Sequence, residues 1–419
     1  MALQHAAAPA LGHPAARPRR RLATSRLHRM LLVLAGAAGA LVFIEPSPYE
    51  FATLLALLLF LATGLTFRPA LIPLGILLVL INIGYTVSAT PLLGDSRVLT
   101  WVLTSWYLAV TALFFAAMLC ADTERRLNAL MLGCLIAGII AALAGVAGYF
   151  RLVPGGSDLL LLYDRARGTF KDPNVFGAFL VLPAMLALRN VIAGDFGRAM
   201  RNMVLLGLCT AGVLLSFSRA AWGQLAFTGL LVLALTFLTT PSPNRRMRIV
   251  LLGVAGIAAL ALFLAALLSL DTVANLLKER LSFNQSYDVG EQGRFGRHAL
   301  GAALALDVPL GIGPLQFARI FPEDPHNSYL NAFVSGGWLS GLCFLTLTLV
   351  TLAHGMRAVM TPTPWQSITI AVYAAFVGNV AESAIIDTDH WRHAFLLLGV
   401  MWGLIAASRD YGRHPGLAR

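Results

Sequence analysis

The chain alternates between long apolar runs and short polar connections that carry arginine. Apolar runs at 30–45, 51–67, 70–90, 98–120, 128–150, 175–193, 202–217, 220–240, 248–270, 328–352, 366–386 and 391–408 each read as a helix. Crossing a bilayer takes about 20 consecutive apolar residues, and most of these runs approach that length. A helix that is apolar all round must face lipid or other helices, not water. The pattern therefore predicts an all-α polytopic membrane bundle of about 12 transmembrane helices. The first two runs are short and read as tilted or partly buried in the bundle.

Basic residues in short connections set the orientation, because they stay on the cytoplasmic side. The amino-terminal arginines (Arg17, Arg19, Arg20, Arg21, Arg26 and Arg29) put that end inside. Alternation then puts Arg68, Arg125, Arg126, Arg189, Arg198, Arg201, Arg245, Arg246, Arg248 and Arg357 inside as well, together with the tail bearing Arg409, Arg413 and Arg419. The expected organisation is a disordered basic cytoplasmic tail over 1–28, nine helices over 29–270, three more over 328–408 and a cytoplasmic tail over 409–419. Two connections on the outer side are long: 151–174, and 271–327, which reads as a loop domain with short helices of its own. The run Leu31 to Phe43 is read as a retained span and not a signal peptide, since the charge alternation works with it in place.

Composition agrees. Of 419 residues, 58% are hydrophobic and 12% charged, against about 25% charged in soluble domains. The net charge is +11, and Lys171 and Lys278 are the only lysines. Nucleic acid is a poor partner for it, because no basic patch is interleaved with aromatics on a soluble domain. Cys120, Cys134, Cys209 and Cys343 all lie in apolar runs and match neither a zinc site nor a disulfide framework.

The positive-inside rule leaves a basic outer face unexplained: Arg97, Arg151, Arg165, Arg167, Lys171, Arg219, Lys278, Arg280, Arg294, Arg297, Arg319 and Arg392. Arg219 sits in "SFSRAAW", at a tight turn between two spans, where a charge is expensive unless it meets an anion or the surface. Arg294, Arg297 and His298 share one face if their segment is helical. Arginine forks match phosphate oxygens, so these residues point to a lipid-linked phosphate or diphosphate. The plainer alternative is pairing with Glu279, Glu291 and Glu323. His326 opens the helix that follows "DPHNS", with Asn327 or Ser328 as its cap. Capping does not require a histidine, and histidine is the usual base near neutral pH. "DTDH" (Asp387, Asp389, His390) has the form of a short metal motif, or its carboxylates balance Arg392 and His393. Glu382 is a carboxylate within a span and a functional candidate on that ground.

"DPHNSYLNAFVSGGWLSG" resembles the histidine motif of the O-antigen ligase and polymerase family of membrane glycosyltransferases: His326, Asn327, then Gly337. Ser340 stands where the pattern closes on a small residue. "RGTFKDPN", "SFSRAAW" and "GRFGRHALGAALALDVPLGIGP" are similar to further segments of that family, in the same order. The resemblance is strongest over 165–345. It implies a GT-C-like fold in a bacterial inner membrane, with both termini cytoplasmic and the active site facing the periplasm. It also implies transfer of a glycan from an undecaprenyl-diphosphate carrier to lipid A–core or to a growing polysaccharide, in lipopolysaccharide synthesis, without cofactor or metal.

On that reading His326, Arg219 and Arg294 are catalytic. Arg297, Arg165, Arg167, Lys171, Asn174 and Asn327 bind the diphosphate or glycan, and Asn174 also caps the helix after it. The leading assignment is an O-antigen ligase, with a polymerase as the alternative. A flippase for the same glycans is the more distant one, since the charges gather on one face and no inverted repeat is visible.

Overall fold

The computed structural model describes residues 19–269 and 293–413. Each of the twelve expected runs falls on a helix. These are α1 (Arg19–Ala38), α2 (Pro48–Thr63), α3 (Ile72–Ala89), α4 (Ser96–Met118), α5 (Thr123–Tyr149), the pair α7 (Pro173–Phe179) and α8 (Val181–Ala193), α9 (Phe196–Leu215), α10 (Arg219–Thr239), α11 (Pro243–Leu268), α14 (Ser328–Met360), α15 (Gln366–Glu382) and α16 (Arg392–Arg413). Between them lie a one-turn α6 (Ser157–Leu160), an antiparallel pair β1 (Leu161–Leu162) and β2 (Arg165–Ala166), α12 (Arg294–Asp307) and α13 (Phe317–Ile320). Among the described residues, eight helices are long and apolar enough to cross a membrane. The fold is thus an all-α polytopic membrane protein. Lys278, Arg280, Glu279 and Glu291 lie outside the described residues.

Helix boundaries follow local chemistry. Asp95, Asp172, Asp195, Ser218 and Asn327 cap α4, α7, α9, α10 and α14 with their side-chain oxygens, each satisfying a backbone N–H that the helix cannot. α1 already includes Arg19, inside the expected tail, because Arg, Leu and Ala are strong helix formers that extend it past the apolar run. The expected helix over 175–193 breaks at Leu180, one turn before Pro183. A proline ring clashes with the carbonyl four residues back, here that of Phe179.

α14 is broken at Gly337, where φ is +71°. Only glycine adopts this conformation freely. The break admits the loop 309–312: Trp338 N–H donates to the Pro309 carbonyl (2.9 Å) and Ile312 N–H to the Val334 carbonyl (2.8 Å). A Cβ on Gly337 would lie 2.6 Å from the Leu310 carbonyl carbon. Ser340, one turn further on, donates to the Ile81 carbonyl at 2.7 Å and ties α14 to α3.

The connections sort to two ends of the bundle. At one end His28 Nε2 meets Thr63 Oγ1 at 2.8 Å, Arg68 pairs with Asp410, and Arg248 donates to the Gly194 carbonyl at 3.0 Å. At the other, Lys171 pairs with Glu45 at 2.8 Å, Arg392 with Glu50, and Arg319 with Asp95 at 2.5 Å.

Candidate functional site

The second end carries His326. This residue takes a φ of 51°, a left-handed conformation that residues with a Cβ seldom occupy. Asn327 then turns extended, at φ −154°, and caps α14 by accepting from Leu330 N–H at 3.1 Å. The same device precedes Arg219: Phe217 has φ 48°, Ser218 is the cap, and Arg219 is the first helical residue of α10. Arg294 likewise opens α12, after Gly293 as cap. All three catalytic candidates thus stand at helix N-termini, where unpaired N–H groups and the helix dipole favour an anion.

His326 sits between two carboxylates. Its Nδ1 lies 3.3 Å from Asp387 Oδ2, and its Nε2 lies 3.6 Å from Glu323 Oε2. The same Glu323 oxygen accepts from Arg297 Nη2 at 2.9 Å. Arg297 and His326 therefore meet through Glu323, and the pairing alternative holds for Arg297, which is 3% exposed. His298, one residue on, lies against the backbone of Pro325 and His326, and burial pushes its pKa down. Burial also pushes Asp387 above the ordinary carboxylate range, with the His326 hydrogen bond acting against it. Asp324 moves up for the same first reason, with Asp387 nearby adding to it.

A polar clamp fixes the turn that bears Asp387. Asn327 N–H donates to Asp387 Oδ1 (3.0 Å), and Asn327 Nδ2 to the Ala384 carbonyl (3.0 Å). Ser328 N–H donates to the Ser383 carbonyl (2.8 Å), and Thr388 N–H to Ser328 Oγ (2.7 Å). The hydroxyls of Ser328 and Ser383 both reach Thr388 Oγ1, at 3.1 and 2.5 Å. Asn331 Nδ2 donates to Asp389 Oδ2 at 2.9 Å.

These contacts correct several expectations. Asp387 and Asp389 do not balance Arg392, whose guanidinium pairs with Glu50 and Glu45. Neither do they form a metal cluster: no group of three or more His, Cys, Asp and Glu side chains that could hold a metal ion occurs among the described residues. Asn174 does not cap the helix after it. Asp172 does so, accepting from Asn174 N–H at 2.6 Å, because its extended backbone faces the first turn while Asn174 is already helical. The Asn174 side chain instead accepts from Arg165 Nη2 at 2.8 Å, and Arg165 Nε donates to the Ser216 carbonyl at 2.8 Å. Arg165 and Asn174 are thereby joined to the turn that launches Arg219. Arg167 donates to the carbonyls of Asp158, Leu159 and Lys171 and so braces its own loop. Lys171 goes to Glu45.

α15 links the Arg219 turn to the His326 turn. Gly378 lies against Gln224 and Thr228 of α10. Arg219 lies five residues before Gln224 and Glu382 four after Gly378, distances of about 8 and 6 Å at 1.5 Å per residue. Arg219 and the turn bearing Asp387 therefore stand at about one height. Glu382 is 3% exposed, and neither of its side-chain oxygens has a hydrogen-bond partner among the described residues.

A family model described as O-antigen ligase matches residues 204–345, about a third of the chain. The match takes in Arg219, Arg294, Arg297 and His326, and ends before Asp387. It supports the O-antigen ligase family and a ligase- or polymerase-type function. No curated protein matches the chain.

Proposed function

We propose that this chain, with its O-antigen ligase match, transfers a glycan from an undecaprenyl-diphosphate carrier to lipid A–core at the periplasmic face of the bacterial inner membrane. The observation that carries the reading is His326 held between Asp387 and Glu323, at a bundle end where Arg219 and Arg294 also open helices.

The reaction is an inverting displacement. An acceptor hydroxyl oxygen attacks the anomeric carbon as the bond from that carbon to the diphosphate oxygen breaks. His326 takes the hydroxyl proton, and Asp387 stabilises the imidazolium that results. Negative charge grows on the departing diphosphate, and Arg219, Arg294 and the N-termini of α10 and α12 neutralise it. Arg165, steadied by Asn174, adds a guanidinium beside the Arg219 turn. Arg297 shares Glu323 with His326 and holds that carboxylate in place. Each step uses protein side chains alone, so neither cofactor nor metal is required.

The test is transfer by purified protein in liposomes holding a lipid-linked glycan and lipid A–core. A glycan joined to lipid A–core, at the same rate in chelator, is the expected outcome. A glycan extended on its own carrier would identify a polymerase. Movement of the glycan across the bilayer without bond formation would overturn the transferase reading.

A further inference from the structure

α12 is turned the wrong way round for a helix in water. Its buried positions are Arg297, Gly301 and Ala305. Its exposed positions include Phe295, Ala299, Ala302 and Leu306, which fall at i, i+4, i+7 and i+11 and make one continuous stripe. Phe295 is 61% and Leu306 71% exposed, and Leu310, just past the helix, 73%. The charge on the exposed side is Asp307, the last residue of the helix. An exposed apolar patch of this kind marks a contact with protein or with lipid.

The height of α12 in the bundle decides between the two. At the end opposite His326, Gln366 Nε2 donates to the Val359 carbonyl at 2.9 Å, so the start of α15 and the end of α14 share one level. From that level Ser383 is 17 residues up α15 and Trp338 is 21 residues up α14, about 26 and 32 Å at 1.5 Å per residue. The hydrocarbon core of a bilayer is about 30 Å thick, so both residues stand near its edge at the His326 end. Ser328 is tied to the same level, because its N–H donates to the Ser383 carbonyl at 2.8 Å, although it lies ten residues before Trp338. The part of α14 before the break at Gly337 therefore runs across the bundle and not up out of it. α12 lies beside that part. A Cβ on Gly301 would meet the Leu330 side chain, and Trp338 Nε1 donates to the Ala305 carbonyl at 2.8 Å. α12 is thus held at the edge of the hydrocarbon layer.

The stripe also continues a surface that already faces lipid. α14 is among the helices long and apolar enough to cross a membrane. It has no exposed residue over 328–337, where α12 packs on it. Its exposed large apolar residues begin at Trp338 and go on through Leu339, Leu342, Leu345 and Leu349. Leu306 directly follows the residue that Trp338 touches, so the two apolar surfaces meet there. We propose that the stripe of α12 is a lipid-docking surface, with Phe295, Ala299, Ala302 and Leu306 lying against the acyl chains of the leaflet at the His326 end. α12 is then an interfacial membrane helix and not part of a loop domain in water. A protein partner would be met by a polar rim with hydrogen-bonding groups, whereas the stripe runs into more apolar surface. One consequence rests on the transferase reading: Arg294, next to Phe295, meets the diphosphate of a carrier lipid at head-group depth, without the carrier leaving its leaflet.

The test is spin-label accessibility in the full-length protein, in vesicles of phosphatidylethanolamine and phosphatidylglycerol with no glycan present. Cys343→Ser removes the one cysteine that is not buried. A nitroxide is then placed at Leu306→Cys or Phe295→Cys, with Leu345→Cys as the lipid-facing reference and Glu124→Cys, exposed in the first turn of α5, as the water-facing one. Labels at Leu306 and Phe295 should be relaxed more by oxygen, which concentrates in lipid, than by a water-soluble nickel chelate. That is the order expected at Leu345, with the reverse at Glu124. Leu306→Trp reads the same contact without a cysteine: lipids brominated on their acyl chains should quench its added fluorescence, and aqueous acrylamide should not. Nickel relaxation at Leu306 or Phe295 equal to that at Glu124 would put the stripe in water. Shielding from both reagents would put it under protein, whether another part of this chain or a second copy. Either result overturns the proposal. Lipid-type relaxation in a protein that joins no glycan would count against the transferase reading alone, so the two failures are distinguishable.

Discussion

His326 shows what residue-scale chemistry requires here. A base must be aimed, and its conjugate acid must be stabilised once it holds a proton. The left-handed backbone at His326 aims the ring, and Asp387, 3.3 Å from Nδ1, supplies the counter-charge. His326→Ala should lower the transfer rate about 10²- to 10⁴-fold, the usual range for loss of a general base, with the protein still inserted, as read by its yield in membranes. Asp387→Asn should cost about 10- to 100-fold, as loss of a partner that orients a functional imidazole does. The pH profile separates these roles. Burial raises Asp387, so its proton returns at a pH above the ordinary carboxylate range. Activity should fall as pH drops through that value, and Asp387→Asn should lack this acid limb. The same raised pKa means that the folded protein binds the proton more tightly than the unfolded one, so protonation of Asp387 favours the fold. The acid loss should therefore precede any loss of helical signal; simultaneous loss would assign it to unfolding. His326 and Asn327 were legible in the sequence because they fall in one short motif at a helix start. Asp387 was not, since its partner lies 61 residues away and "DTDH" reads equally as a metal motif or an ion pair.

At the scale of elements, α14 does two jobs that one straight helix could not. Its start carries His326, and its break at Gly337 receives the loop that follows α12. Arg294 and His326 are thus held by a single docking event. Gly337→Ala forces a Cβ into that loop and into an unfavourable φ. It should cost about 1–3 kcal/mol for the conformation alone and lower both thermal midpoint and activity; an unchanged midpoint would show that the docked loop does not depend on glycine. Ser328→Ala tests the clamp on the other side. Removing that hydroxyl unties the Thr388 N–H, so the rate should fall while the affinity for donor holds, and a matching loss of both would point to general unfolding. The helices themselves were evident from apolar runs, since that pattern is local. The kink, the break before Pro183 and the early end of α1 were not, because each depends on what packs against it. Gly337 was visible only as a motif letter until the loop it admits was placed.

For the whole molecule, the arrangement separates what holds the bundle from what acts. Five of the cations expected to form one basic surface have acidic partners: Arg97 and Arg319 share Asp95, Lys171 takes Glu45, Arg392 takes Glu50, and Arg297 takes Glu323. Net charge at the sequence level counts these residues equally, whereas pairing decides which of them a ligand can meet. Charge alternation is a property of every loop and can be read from the sequence alone. Which outer arginines converge depends on tertiary contacts such as Arg165 with Asn174 and Ser216. A metal-free mechanism further predicts equal rates in the presence and absence of a chelator, with a fall in chelator assigning a role to an ion. The most direct measurement of the central claim is joining of a lipid-linked glycan to lipid A–core by the purified protein in liposomes, comparing the parent with His326→Ala and Arg219→Ala. The account predicts a joined product with the parent and at least 100-fold less with either variant. Product from both variants at the parent's rate would contradict it.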